Sequence, residues 1–342
     1  MTRINKQNSL PDSKDGIILL AKQSGITSFS SLWQIKNALS TKKIGHTGTL
    51  DTFAEGLLVA VSGRLTRLAP YITDCDKEYE AIVRFGAETD TLDPDGAIVS
   101  ENSLPTYERV MDSLGKFTGN IMQVPPAYSA VHVDGQRASD RTRRGESVDM
   151  PPRAVTIHSI ESLSALDERG NPAKCGSPVR DLAIRVSCSK GTYIRSLARD
   201  IATEASSCAH LAALRRTRIG PFYLERAAGY SMLTPFGTVP PAKYGIGDKP
   251  PRVPESDILD SVIRLTPDYS RIIGLCPVSL TSEKLHAFSN GKNPEPSWFS
   301  ETTPGLKTVF CEGLFVGMVT IDRDRVRYEF VVPSIDVGVT AK

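Results

Sequence analysis

The apolar residues of this chain fall into short blocks, and the period of each block predicts its element. Ile17 to Ala21 and Leu57 to Val61 are unbroken apolar runs, each preceded by a glycine and followed by a polar residue. Runs of that length predict strands buried on both faces, because a helix needs roughly 10 to 12 residues. Between them, Phe29, Leu32, Ile35 and Leu39 recur at helical spacing, with Thr27 or Ser28 placed to cap the N-terminus. From Glu78 to Phe85 the period changes to two, with Tyr79, Ala81, Val83 and Phe85 on one side, which predicts a half-buried strand. Tyr107 to Phe117 has the spacing of a short helix, and Leu182 to Ser187 alternates again. The Gly191-Thr192 turn then delivers Tyr193 and Arg195 to the start of a helix running to about Glu204. Near the C-terminus, Lys307 to Cys311, Phe315 to Ile321 and Val326 to Val332 read as short strands separated by polar turns.

The breaks between blocks suggest an organisation. Residues 1–15 are polar and predict a disordered tail. Residues 16–230 form one large domain, interrupted at about 123–153 by a loop-rich insert that carries Arg137, Arg141, Arg143, Arg144 and Arg153. Prolines and glycines crowd 231–260, which reads as a connection, and 261–342 reads as a small β-rich module. No internal repeat is apparent.

Composition changes this picture little. The 342 residues are 40% apolar and 23% charged, as in an ordinary globular protein. Net charge is only +2, so any binding to nucleic acid must come from clusters among the 41 basic residues. Such clusters are Lys42-Lys43, the arginines of the insert, and Arg215, Arg216 and Arg218. The six cysteines contain no Cys-x-x-Cys pair and the five histidines complete no zinc-ligand spacing, so neither metal nor cofactor is expected. No apolar run approaches the roughly 20 residues of a membrane span. Scattered thiols fit a reducing cytoplasm.

Candidate chemistry concentrates in Gly45-His46-Thr47-Gly48-Thr49-Leu50-Asp51-Thr52-Phe53-Ala54-Glu55-Gly56. Three glycines allow close backbone approach, so Asp51 can project from a shaped loop beside His46. The segment lacks the Lys-Ser or Lys-Thr of a phosphate-binding P-loop. It resembles the catalytic loop of the TruB family of tRNA pseudouridine synthases, whose Gly-His-Thr-Gly-x-Leu-Asp pattern ends at a nucleophilic aspartate. Further segments resemble that family in the same order: Lys77-Glu78-Tyr79, Thr89-Asp90-Thr91 with Asp93, Pro125-Pro126-x-Tyr128-Ser129-Ala130, Ser189 to Leu197, and Ala209 to Thr217. The chain departs from the pattern at Gln23, where proline is usual, at His132, where lysine is usual, and at Ser139, where tyrosine is usual.

The resemblance implies an α+β pseudouridine-synthase fold, with a mixed, largely antiparallel sheet, flanking helices and a small C-terminal module similar to a PUA domain. It implies isomerisation of uridine at position 55 of the tRNA T arm, with Asp51, Tyr79 and Arg195 as catalytic residues and no cofactor. By the same resemblance His46, Asp90, Tyr193 and Leu214 bind the substrate, while Lys42, Lys43, Arg141, Arg143, Arg144, Arg215 and Arg216 meet RNA phosphates. A monomer in the cytoplasm is expected. Asp51 can attack C1′ or C6, or start an elimination, and His46 can contact displaced RNA or stabilise its own loop. Two other readings compete with this one: an RNA-binding protein without catalysis, which retention of Asp51, Tyr79 and Arg195 disfavours, and a glycoside hydrolase using Asp51 and Glu55. The latter gives the arginine clusters no purpose.

Overall fold

A computed structural model describes residues 15–237 and 251–332 except Ala130, Asp134, Ser147 and Asp324. The expected tail lies outside the described residues but for Asp15, and so does part of the proline-rich connection, including Pro240, Pro241 and Pro250.

The two unbroken apolar runs are strands β1 (Gly16–Lys22) and β2 (Glu55–Ser62), buried along their whole length because each is covered on both faces. On one face Ile18, Leu20, Leu58 and Ala60 pack against Leu32 and Ile35 of helix α1 (Ser28–Ala38). On the other, Ile17, Leu19, Val59 and Val61 meet Leu65, Leu68 and Ile72, and also Phe310 and Met318 from the C-terminal strands. Thr27 caps α1 by accepting from the Ser30 N–H. The predicted apolar face of this helix is wrong at Phe29, whose side chain is 71% exposed under the Lys36 ammonium. At 100° per residue Phe29 is off the Ser28, Ser31/Leu32, Ile35 stripe that faces the sheet.

The alternating segment is β3 (Lys77–Phe85). Beyond it lie helix α2 (Tyr107–Lys116), β4 (Gly119–Gln123), β5 (Arg153–Leu166), β6 (Asp181–Cys188), helix α3 (Ile194–Glu204) and β7 (Ala209–Ile219). Main-chain order in the large sheet is Val262–Ile263, β1, β2, β7, β3, β6, β5, β4, with Ile44–His46 added on β2 and Phe222–Tyr223 on β7. Every pairing is antiparallel except β7 with β2, where Arg215 lies beside Glu55 and Arg216 beside Gly56. The sheet is thus mixed and largely antiparallel, as expected. Helices α2 and α3 cover the face presented by Ala81, Val83, Ile184, Val186 and Leu211.

A second sheet holds β8 (Cys276–Ser279), β9 (Gly305–Cys311), β10 (Leu314–Asp322) and β11 (Arg325–Val331) in that order. Val262–Ile263 belongs instead to the first sheet, pairing with β1. No described helix is long and apolar enough to cross a membrane.

Candidate active site

The loop Thr47–Ala54 enters β2 and is held from below by the end of β1. Lys22, 1% exposed, donates to the carbonyls of Asp51 at 3.1 Å, Thr52 at 3.4 Å and Ala54 at 2.6 Å. Ser28 accepts from the Leu50 N–H at 2.8 Å and donates to its carbonyl at 3.0 Å, and Ser24 donates to the Phe53 carbonyl at 2.7 Å. Burial lowers the Lys22 ammonium to about 7, while the charge of Asp51 pulls it upward. Gln23, at the first departure from the family pattern, is buried and turns its amide to the Ala21 carbonyl at 3.4 Å. The loop keeps its anchors without proline there.

Fixed in this way, the Asp51 carboxylate meets a two-pronged guanidinium. Arg195 places Nε 3.0 Å from Oδ2 and Nη2 3.1 Å from Oδ1. The side chain of Arg195 is 5% exposed against 37% for Asp51, so the acid faces the cavity and the base is buried behind it. Arg195 also donates to the Thr91 carbonyl at 2.8 Å and the Tyr128 carbonyl at 3.0 Å, and lies 3.6 Å from Asp93 Oδ2. Gln123 clamps the start of α3 in both directions, accepting from the Tyr193 N–H at 2.8 Å and donating to its carbonyl at 3.1 Å.

A cavity of about 650 Å³ opens over this pair, lined by Asp51, Tyr79, Tyr128, Tyr193, Arg195 and Leu214 among others. Burial raises the Tyr79 phenol above its usual range; Arg216 opposes this by its charge and a side-chain hydrogen bond, while Cys188 and Asp51 add to it. A phenol that stays protonated at neutral pH can stack and donate. His46 accepts from the Gly48 N–H through Nδ1 at 3.4 Å, and burial, then the charge of Arg216, lowers its imidazole so that it is neutral at pH 7. Of its two expected roles, this contact belongs to the loop.

Several expected site residues lie elsewhere. Asp90 is exposed and accepts from the Ala97 N–H at 2.9 Å, closing its own turn. The acid that reaches the centre is Asp93, 8% exposed, whose carboxyl burial raises and whose Oδ1 accepts from the Thr91 hydroxyl at 2.6 Å. Its signal was the same Thr-x-Thr-x-Asp stretch, but a loop has no period to tell which acid turns inward. Arg215 is buried in an ion pair with Glu55, its Nε 2.8 Å from Oε1, and also donates to the Thr234 carbonyl at 2.6 Å. Arg216 is 2% exposed and bonded to main-chain carbonyls. Neither is free for phosphates, because the Thr234 carbonyl and the Phe236 ring lie against Arg215, and the carbonyls of Leu57 and Gly48 take up Arg216. Glu55, facing Arg215 inside the fold, cannot partner Asp51 as a glycosidase carboxylate.

The remaining basic candidates are at the surface. Lys42 and Lys43 are exposed. In the insert, Arg141 and Arg144 both pair with Glu146 at 2.8 Å, and Arg143 lies 3.3 Å from Asp140 while also lining the cavity. Ser139 lines it as well, at another departure from the family pattern. The side chain of His132 lies outside the described residues.

Residues 36–194 match the family described as TruB family pseudouridylate synthase (N terminal domain). A tRNA pseudouridine synthase B of Treponema denticola is 40% identical over 354 aligned positions, spanning 94% of this chain and 99% of that protein. The enzyme of the same name from Borreliella burgdorferi is 44% identical over 213 positions, 62% of this chain and 72% of its own. Among solved structures, a chain of an H/ACA RNP bound to a substrate RNA containing 2′-deoxyuridine superposes with a TM-score of 0.61 at 20% identity, covering 95% of this chain and 87% of that one. A chain of a Cbf5-Nop10-Gar1 complex gives 0.59 at 21% identity, covering 93% and 85%. Both show the fold.

Proposed function

The chain belongs to the TruB family of tRNA pseudouridine synthases and is an RNA-modifying isomerase of tRNA uridine; from that premise we propose that its target is uridine 55 of the T arm and that Asp51 carries the chemistry. The observation that carries this reading is the bidentate Asp51–Arg195 pair at the wall of a cavity large enough for a nucleotide. The reaction breaks the bond from N1 to C1′ and forms one from C5 to C1′, with a proton lost from C5 and one gained at N1. It needs one group that can engage the sugar or base and then release it. Contact with the Arg195 guanidinium orients the Asp51 carboxylate, and 37% exposure leaves it accessible from the cavity. Attack at C1′, attack at C6 and elimination all begin from that carboxylate.

Tyr79 supplies a flat face for the uracil, with Tyr193 and Leu214 as further apolar walls. A stacked uridine must leave its helix to enter, at a cost of a few kcal/mol. Phosphate contacts offset that cost and carry no base identity; in this reading Lys42, Lys43, Arg141, Arg143 and Arg144 supply them. Recognition then follows the shape of the arm and its unstacked bases. Residues 276–331 act as a PUA-like module beside the catalytic sheet, and the enzyme works as a monomer in the cytoplasm.

The reading is tested by incubating the protein with an unmodified tRNA transcript and mapping pseudouridine by position. Conversion confined to position 55 is the expected result. Conversion at another position, or none, would refute it.

A further inference from the structure

Arg216 reaches the centre of the fold by an unusual approach. It sits on β7 opposite Tyr79 on one side and Gly56 on the other, at the parallel pairing of β7 with β2. Gly56 has φ +108, and a Cβ there would lie 2.5 Å from the Arg216 carbonyl oxygen and 2.7 Å from its nitrogen. Only a glycine lets the two strands come this close. The Arg216 side chain then runs under the loop that carries Asp51, where Nε donates to the Leu57 carbonyl at 2.9 Å and Nη2 to the Gly48 carbonyl at 3.1 Å. Tyr79 is its direct neighbour across the β7–β3 pairing, and both residues line the cavity.

We propose that Arg216 is a positioning residue for the isomerisation, tying the Asp51 loop, through Gly48, to the stacking phenol of Tyr79 before RNA enters. The inference rests on the reading of the cavity as the uridine pocket. Arg216 lines the cavity, but at 2% exposure it has almost no surface to offer a ligand, so it acts through the groups it holds. A planar guanidinium presents five donors in a fixed fork and can hold several acceptors in one arrangement. An ammonium offers three donors on one rotating nitrogen, with less angular definition. Gly48 is three residues before Asp51, so slack in the first is passed to the second. Lys22 fixes the far side of the same loop, and Arg216 the near side.

The test compares Arg216→Lys and Arg216→Gln with wild type, each with and without Tyr79→Phe. Three quantities are measured: the single-turnover rate on an unmodified tRNA transcript, tRNA affinity, and thermal unfolding. Both Arg216 variants are expected to fold and to bind tRNA as wild type does, while their rate drops about 100-fold, the usual effect of a misplacement near 1 Å. Tyr79→Phe is expected to reduce the rate far less in these backgrounds than in wild type, because groups acting as one unit are not additive. A wild-type rate in Arg216→Lys would overturn the proposal. So would effects of Arg216 and Tyr79 substitutions that simply multiply, or losses of rate that follow the fraction unfolded. If the wild-type chain itself formed no pseudouridine, the reading of the pocket would fall, a result separate from these.

Discussion

Two groups of arginines occupy this molecule in opposite ways. Arg141, Arg143 and Arg144 sit on and just after the short helix Ala138–Arg143, with side chains 23%, 69% and 53% exposed and ion pairs to Glu146 and Asp140. Arg215 and Arg216 sit in β7, where Glu55 and main-chain carbonyls take up their donors. In the sequence both groups are simply basic clusters. The difference comes from what covers the side chains: Glu55, Thr234 and Phe236 surround Arg215 and the Asp51 loop covers Arg216, whereas the insert lies outside the large sheet. One group can give up its surface partners to phosphates at little cost, since exposed pairs contribute about 0 to 1 kcal/mol. The other shapes the pocket, and removing it leaves buried carbonyls or a buried carboxylate unpaired.

The comparison is sharpest when the same swap is made in both regions. Arg195, buried like the β7 pair, holds Asp51 and two carbonyls at once. Arg195→Lys keeps the charge and loses the fork, and its turnover should fall by about 100-fold or more. Arg143→Lys should change turnover little. Equal losses in the two variants would erase the distinction.

Next in size is the Glu55–Arg215 pair. Glu55→Gln leaves Arg215 buried beside a neutral amide, and breaking a buried pair costs about 3 to 5 kcal/mol. Denaturant unfolding should show that loss, while the turnover of the folded fraction persists. Full stability with lost turnover would instead give Glu55 a chemical role.

An effect of similar total size, spread over several pH units, is expected from Lys22. Burial lowers its folded-state value to about 7 from the ordinary lysine value of 10.5. Between those values the unfolded chain binds the proton and the folded chain does not, so this group makes stability rise with pH, by at most about 1.4 kcal/mol per pH unit. Below pH 7 both states are protonated and the component vanishes. The unfolding midpoint of wild type, relative to Lys22→Met, should therefore climb from pH 7 toward 10. A difference that stayed flat with pH would show that the carbonyls of Asp51, Thr52 and Ala54 hold the ammonium charged.

The mildest change is the neutralisation of Arg141, Arg143 and Arg144 together. The slope of log affinity for tRNA against log salt should flatten by up to about 0.9 per lost contact. Chemistry on bound tRNA should be nearly intact. An unchanged slope would remove the insert from the RNA interface and leave Lys42 and Lys43 as the remaining basic candidates.

Much of this molecule was legible in its sequence where one physical demand dominates. The runs Ile17 to Ala21 and Leu57 to Val61 are apolar throughout because both faces of β1 and β2 are covered. The alternation of β3 survives because helices cover one face only. Strand β5 was not read, since register shifts at Ile157/Ser159 and Ser162/Ser164 break its period. Strand β7 showed in the sequence only as a basic cluster, because Arg215, Arg216 and Arg218 mask its apolar residues and two further register shifts disturb its alternation. At the site, Asp51, Tyr79, Tyr193, Arg195 and Leu214 were named from a motif and surround one cavity. Asp93 was passed over for Asp90, and Arg216 was placed on the surface, because contacts between distant segments decide both.

The most direct measurement is Asp51→Asn assayed beside wild type on one unmodified tRNA, reading tRNA affinity and pseudouridine at position 55 from the same samples. The amide keeps the shape of the carboxylate and removes its charge. The account predicts wild-type affinity and no detectable pseudouridine in the variant. Turnover near the wild-type rate would contradict it.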